Sequence, residues 1–94
     1  DRKFTCDAGS KAIASEAGSP VAVILGHPEY EACEPNEEHL PFETDRPRPK
    51  RGETVLLFPR HICPTVNLAE EALLVDRGEA REVPVRARAH DLVL

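Results

Sequence analysis

Proline is the feature that most restricts what this 94-residue chain can fold into. Its nine prolines recur from Pro20 to Pro84, and each one removes a backbone donor and ends or kinks a helix interior. No stretch between them carries apolar residues at helical spacing over several turns. Short segments separated by turn residues are typical of all-β domains. The sequence therefore predicts a mostly β fold, a small open barrel or sandwich of about six to eight short strands.

Candidate strands are segments in which apolar or alternating residues stand between turn signals. We predict strands at 4–6, 21–25, 30–35, 39–43, 54–58, 73–75 and 81–85. The run from Thr54 to Phe58 contains four consecutive apolar residues, which predicts burial on both faces. Residues 76–79, Asp-Arg-Gly-Glu, have the composition of a hairpin turn. For residues 11–16 a strand and one helical turn both remain open.

Length and charge limit the classes of protein to which the chain can belong. A chain of 94 residues forms a single domain, 1–94, with one small core and little room for a deep cofactor pocket. We therefore expect a piece of a larger enzyme. The net charge of -5 argues against a nucleic-acid partner, which favours a basic surface. The longest apolar run, Val21 to Leu25, is too short to span a membrane.

Two smaller features concern location and ligands. Three cysteines cannot form a closed disulfide framework, which predicts a reducing, cytoplasmic location. The basic run at 46–52, Arg-Pro-Arg-Pro-Lys-Arg-Gly, is either a patch for an anionic ligand or a solvated loop. The loop is favoured, because the prolines hold the run extended and no aromatic residue interleaves it.

His61 and Cys63 form the sharpest chemical signal. In an extended segment, residues separated by one position point to the same side, so imidazole and thiolate could converge on one ion. Zinc accepts both ligand types, and soft sulfur disfavours magnesium or calcium. Two ligands leave positions for water or substrate, as a catalytic metal requires. The alternatives are a buried thiol beside a satisfied histidine and a structural zinc domain, and the latter is disfavoured because Cys6 and Cys33 lack zinc-finger spacing.

Four segments of the chain carry a resemblance to a known family. Residues 57–68, Leu-Phe-Pro-Arg-His-Ile-Cys-Pro-Thr-Val-Asn-Leu, resemble the metal-binding motif of the D-threonine aldolase and D-serine dehydratase family. Residues 7–12, Asp-Ala-Gly-Ser-Lys-Ala, resemble a stretch found upstream in that family. Residues 37–39, Glu-Glu-His, and 83–88, Val-Pro-Val-Arg-Ala-Arg, are similar to two further segments of it. The resemblance spans nearly the whole chain.

The resemblance implies a place in a larger enzyme. Family members are fold-type III pyridoxal-phosphate enzymes, similar to alanine racemase. An amino-terminal α/β barrel carries the Schiff-base lysine, and a carboxyl-terminal β domain closes the site. The chain would be that carboxyl-terminal domain, its partner would be the pyridoxal-phosphate barrel, and the parent enzyme would be a homodimer. The cofactor lysine would then lie outside this chain, and Lys11 would be a structural or loop-lining residue.

The same resemblance assigns roles to four residues. It implies that His61 and Cys63 hold a divalent metal and act in catalysis through it. The cysteine form is similar to zinc-dependent D-serine dehydratases and the aspartate form to manganese-type aldolases, so zinc is expected. The metal would act as a Lewis acid on the 3-hydroxyl of a D-3-hydroxy amino acid. Glu38 and His39 are candidates to line the substrate, although His39 could equally cap a strand.

The predicted function is the metal-site domain of a pyridoxal-phosphate- and metal-dependent lyase of the D-serine dehydratase or D-threonine aldolase type, inactive alone. The alternative is a non-catalytic small-molecule-binding or interaction module that keeps the fold. Of the remaining histidines, His27 is expected in a turn, between Gly26 and Pro28, and His90 is expected to be exposed near the end of the chain.

Overall fold

The computed structural model describes residues 2–86, so His90 and part of the segment 83–88 lie outside the described residues. Within 2–86 the chain forms seven short strands and one helix of five residues. The elements are β1 (Lys3–Cys6), β2 (Ala22–Ile24), β3 (Glu31–Ala32), β4 (Leu40–Glu43), β5 (Leu57–Pro59), α1 (Ile62–Val66), β6 (Glu71–Asp76) and β7 (Glu79–Pro84). Each predicted strand overlaps an observed one, and the predicted mostly β fold is confirmed.

The strands form small antiparallel sheets that do not close into a ring. Within the described residues the sheets are β1-β4-β3, β2-β5 and β6-β7. In the first sheet Phe4 lies opposite Phe42, and Ala32 lies opposite Phe42 on the other side. In the second sheet Val23 lies opposite Phe58. The domain is therefore an open β structure of short strands.

One apolar core lies beneath the first two sheets. Leu40 and Phe42 alternate along β4 and are fully buried, as strand periodicity requires. The ring of Phe42 stacks on Phe4 with 5.3 Å between centroids, and Tyr30 meets Phe4 edge-on at 4.9 Å. The buried apolar residues are Ile13, Val21, Ala22, Ile24, Tyr30, Leu40 and Phe42. This core fixes the positions of the loops that leave the strands.

The expectation that residues 54–58 form a strand buried on both faces is wrong. The observed strand is Leu57–Pro59, and only its inner residue Leu57 packs against the core. Leu56 and Phe58 are 65% and 54% exposed. The reason is that β5 pairs only with β2, and one face of this two-stranded sheet has no layer over it within the described chain. An apolar run therefore became a strand that is covered on one face.

The β6–β7 hairpin stands apart from the core. Its turn has positive φ at Arg77 (51°) and Gly78 (80°), the signature of a two-residue type I′ connection. The hairpin turn predicted at residues 76–79 is confirmed. None of the buried core residues lies on these two strands. The hairpin is therefore held by its own ladder from Glu71–Pro84 to Asp76–Glu79.

No helix within residues 2–86 has both the length and the apolar character needed to cross a membrane.

Candidate functional site

Residues 7–18, the first part of the loop between β1 and β2, organise the candidate site, and we call this segment the Gly9 loop. Its first part is a helical turn, because the N–H groups of Ala12 and Ile13 both donate to the Gly9 carbonyl at 3.0 Å. For residues 11–16 a strand and one helical turn were both open, and the structure is closer to the helical turn, which begins two residues earlier, at Gly9. Ile13 is buried in the core. The loop is thus anchored although it contains no strand.

Gly9 lies directly against the backbone of residues 36–39. A Cβ atom built on Gly9 would lie 2.3 Å from the Asn36 carbonyl oxygen and 2.5 Å from the His39 nitrogen. Two hydrogen bonds hold the contact: the Ser10 N–H donates to the Asn36 carbonyl at 2.8 Å, and the Lys11 N–H donates to the Glu37 carbonyl at 3.1 Å. The segments 7–12 and 37–39 therefore pack against each other, and glycine is required at their contact.

Glu38 and His39 enter β4 through a turn built by Asn36. The Asn36 side-chain carbonyl accepts the His39 N–H at 2.8 Å and the Glu38 N–H at 3.3 Å, as asparagine does in an Asx turn. His39 immediately precedes β4 and is exposed. The structure thus places both residues at the start of a strand, with their side chains accessible.

Lys11 pairs with the same segment. Its ammonium lies 2.7 Å from a Glu38 carboxylate oxygen and 3.6 Å from one of Glu37. The hydrogen bond from Lys11 lowers the pKa of Glu38 and raises that of Lys11. Both side chains are well exposed, so the pair contributes little to folding stability. The pair joins the Gly9 loop to the segment that enters β4, and a structural or loop-lining role for Lys11 stays a prediction.

His61 and Cys63 lie at the start of α1, directly after β5. His61 is the N-cap, with extended φ and ψ of -130° and 106°, and Cys63 is the second residue of the helix. The premise of an extended segment from His61 to Cys63 is therefore wrong. Pro64 permits the helix because it stands in the first turn, where a backbone N–H has no intrahelical partner. The convergence of the His61 nitrogen and the Cys63 sulfur on one ion stays a prediction. It would depend on the geometry of the helix N-cap at His61 and not on the alternation of side chains along a strand.

The later part of the Gly9 loop holds this helix start. The Ala14 N–H donates to the Thr65 hydroxyl oxygen at 3.1 Å, and the Thr65 hydroxyl donates to the His61 carbonyl at 2.8 Å. The Glu16 Oε1 lies 3.0 Å from His61 Nδ1. The Arg60 Nε donates to the Ala17 carbonyl at 3.1 Å. Residues 14–17 and 60–65 are thus joined by several hydrogen bonds across some 45 positions of sequence.

The exposure of the pair suits a ligand role. Half of the His61 side chain is accessible, and Cys63 is an exposed free thiol. The alternative of a buried thiol beside a satisfied histidine is therefore wrong for Cys63. Within residues 2–86 no group of three or more histidine, cysteine or acidic side chains could hold a metal. Because His61 and Cys63 supply only two donor atoms, a zinc ion bound to them would keep further coordination positions free for other ligands.

The predicted site residues meet the same loop but not each other. Glu38 pairs with Lys11 of the Gly9 loop, and His61 pairs with Glu16 of the same loop. In the described part of the chain no hydrogen bond or ion pair joins Glu38 or His39 to His61 or Cys63. Glu16 was not predicted, and no local signal could identify it, since it lies 45 residues from His61.

Two other features have local roles. His27 lies in a turn, as predicted, where its N–H donates to the Ile24 carbonyl and its ring stacks on Tyr30 at 4.7 Å. The basic run 46–52 forms a loop along one side of an open cleft of about 750 Å³, opposite β1. All of its residues except Pro49 are exposed, and the Lys50 backbone N–H donates to the Glu53 carboxylate at 2.8 Å, in agreement with a solvated loop.

Thr65→Val is expected to lower the free energy of unfolding by about 1–2 kcal/mol, because it leaves the half-buried Ala14 N–H without an acceptor. Thr65→Ser keeps the hydroxyl and should retain most of the stability. Urea unfolding of the three proteins measures the difference. Equal losses in the valine and serine variants would contradict the bridging role of the hydroxyl.

Fold and site together define an open β domain that presents a histidine and a free thiol where a short helix begins, beside a glycine-dependent loop. The family model described as "Putative serine dehydratase domain" matches residues 1–75. The match covers most of the chain, and the chain belongs to this family. It includes the Gly9 loop, Glu38, His39, His61 and Cys63, and it ends within β6. No curated protein matches the chain.

Proposed function

We propose that this chain is the metal-site domain of a lyase that uses pyridoxal phosphate and a divalent metal to act on D-3-hydroxy amino acids. The reaction would be dehydration of the D-serine type or aldol cleavage of the D-threonine type. The observation that carries the proposal is the exposed pair of His61 and Cys63, which lies inside the range matched by the serine dehydratase domain family. Dehydration is favoured, since the family is described by that reaction.

The donor set supports zinc. The Nδ1 atom of His61 faces the Glu16 carboxylate, so the Nε2 atom is the nitrogen left to bind a metal. Cys63 supplies a soft sulfur, which zinc accepts and which magnesium and calcium disfavour. When bound, the metal would polarise the substrate 3-hydroxyl as a Lewis acid. The part played by this chain is to hold two of the ligands and to leave the remaining positions open.

Glu38 and His39 are proposed to line the substrate. The hydrogen bond from Lys11 lowers the pKa of Glu38, and the Asn36 turn sets the backbone of both residues. An ionised carboxylate is suited to accept hydrogen bonds from the ammonium or hydroxyl groups of an amino acid. Because both pairs of residues contact the Gly9 loop, a shift of that loop would disturb the two sides of the site together.

The proposed partner is an amino-terminal pyridoxal-phosphate barrel, and the complete enzyme is proposed to be a homodimer. The outer face of the β2–β5 sheet supports a protein partner, because Val23, Leu25, Leu56 and Phe58 are each at least 47% exposed there. A contiguous apolar face of this kind marks an interaction surface. The three free cysteines support a reducing, cytoplasmic location.

The test compares a longer polypeptide, in which this chain follows a pyridoxal-phosphate barrel, with the 94-residue chain. The longer protein, loaded with pyridoxal phosphate and zinc, is expected to release pyruvate and ammonia from D-serine, or glycine and acetaldehyde from D-threonine. Removal of the metal with a chelator should abolish the reaction, and zinc should restore it. A loaded longer protein that transforms neither amino acid would contradict the proposal.

The 94-residue chain by itself is expected to show no turnover of D-serine or D-threonine, even with pyridoxal phosphate and zinc added. The reason is that the proposal places the cofactor lysine in the amino-terminal barrel. Lys11, the lysine in the family-like segment 7–12, is exposed and paired with Glu38. Absorbance spectra and product assays measure this directly. A stable internal aldimine or measurable product would show that the chain carries its own catalytic lysine.

A further inference from the structure

The Glu16 carboxylate and the His61 imidazole meet in a geometry that the rest of the Gly9 loop enforces. Oε1 of Glu16 lies 3.0 Å from Nδ1 of His61. On one side of Glu16, Ala14 donates to the Thr65 hydroxyl, and on the other side Ala17 accepts from Arg60. These two bonds hold the backbone on both sides of Glu16, and the His61 carbonyl accepts a separate hydrogen bond from the Thr65 hydroxyl. The contact is more than a chance meeting of two long surface side chains.

The chemistry of the contact fixes the location of one proton. An ionised carboxylate can only accept hydrogen bonds, so Nδ1 of His61 must donate. The lone pair of the neutral ring then lies on Nε2. Metal-binding histidines commonly donate their other ring N–H to a carboxylate or a carbonyl, which sets both the tautomer and the ring orientation.

We propose that Glu16 is a positioning residue that holds His61 as the Nδ1–H tautomer and so makes Nε2 the metal-binding nitrogen. The inference rests on the proposed function, in which His61 binds the metal. Glu16 itself does not touch metal or substrate. Its role is to orient the ring from a loop that also contacts the Glu38 and His39 segment through Gly9, Ser10 and Lys11.

The chain contains a matched control for this pair. His27 Nδ1 lies 2.9 Å from Glu29 Oε2, nearly the same distance as in the His61–Glu16 pair. The two partners are only two residues apart in a turn, and the ring stacks on Tyr30. Glu29→Ala removes a similar histidine–carboxylate contact and is expected to leave metal binding unchanged.

The first measurement uses the metal-free 94-residue chain at a pH where the imidazoles are neutral. Long-range proton–nitrogen NMR spectra distinguish the two tautomers of each histidine ring. We expect His61 to be mainly the Nδ1–H form in the unmodified chain and in Glu16→Gln, whose side-chain carbonyl still accepts. In Glu16→Ala the Nε2–H form should gain population. Amide spectra check that the exposed substitution leaves the fold intact.

The second measurement is titration with zinc alone. Loss of an outer carboxylate partner typically weakens metal binding roughly 10- to 100-fold, and we expect Glu16→Ala to fall in that range, with Glu16→Gln recovering part of the loss. An unchanged His61 tautomer in Glu16→Ala, or unchanged zinc affinity despite a changed tautomer, would overturn the inference. If the unmodified chain bound no zinc, the metal site itself would be contradicted, while the NMR result would still decide whether Glu16 orients the ring.

Discussion

Gly9→Ala is expected to lower the free energy of unfolding by roughly 3 kcal/mol, at the upper end of the usual cost of overpacking. The added methyl group would lie 2.3 Å from the Asn36 carbonyl oxygen and 2.6 Å from the Glu37 carbonyl carbon. These are backbone atoms, which cannot rotate away as a flexible side chain can. Domains of this size are stable by only about 5–15 kcal/mol, so the variant would lose a large share of its stability.

The control for this prediction is Gly78→Ala. Gly78 has a φ of 80° and no heavy atom within 4 Å of an added Cβ, so its substitution costs backbone strain of roughly 1–2 kcal/mol without a clash. Urea unfolding of both variants measures the two costs. A Gly9 variant no less stable than the Gly78 variant would contradict the close packing of the Gly9 loop against residues 36–39.

Cys63→Ala is expected to weaken zinc binding by more than the roughly 10- to 100-fold that loss of an outer partner costs, because it removes one of two proposed ligands. The fold should be unchanged, since Cys63 is exposed and outside the core. Cys63→Asp should be milder, and it should shift preference toward harder ions such as manganese, which carboxylates favour. Titrations with zinc and manganese compare the variants, and D-serine turnover by the longer protein follows the same order.

Cys33→Ala is the control for the cysteine series. Cys33 is a free, half-buried thiol whose N–H donates to the Pro41 carbonyl, and its side chain is not a proposed ligand. Zinc affinity should be the same in this variant as in the unmodified chain. Equal losses on replacing Cys33 and Cys63 would mean that the metal binds thiols without the geometry of the proposed site.

The Gly9 loop gives these experiments a common logic. Its first half carries Gly9 and Lys11 against residues 36–39, and its second half carries Glu16 against His61. A Gly9 substitution should therefore disturb the proposed substrate and metal sides together. Glu16 substitutions should affect metal binding through the orientation of His61 and leave the proposed substrate side unchanged. Cys63 substitutions should affect metal binding through the loss of the sulfur ligand alone.

Several features of the fold and site follow from residues that are close in sequence. The prolines exclude long helices, and Asp-Arg-Gly-Glu at 76–79 specifies a hairpin turn, because such restrictions act on the backbone locally. The residues between the turn signals predict a strand at 39–43, and β4 forms within that range. The chemistry of His61 and Cys63 as potential zinc donors is likewise a property of the side chains themselves.

Other features were decided by tertiary structure, because they depend on which distant segments meet. The four consecutive apolar residues at 55–58 predicted burial on both faces, but the pairing of β5 with β2 alone left Leu56 and Phe58 exposed. The same folding turned the His61–Cys63 segment into a helix start and brought Glu16 to it across 45 residues. No local pattern encodes such a contact, because a carboxylate in a loop can pair with many groups, and only the tertiary fold decides which of them lies beside it.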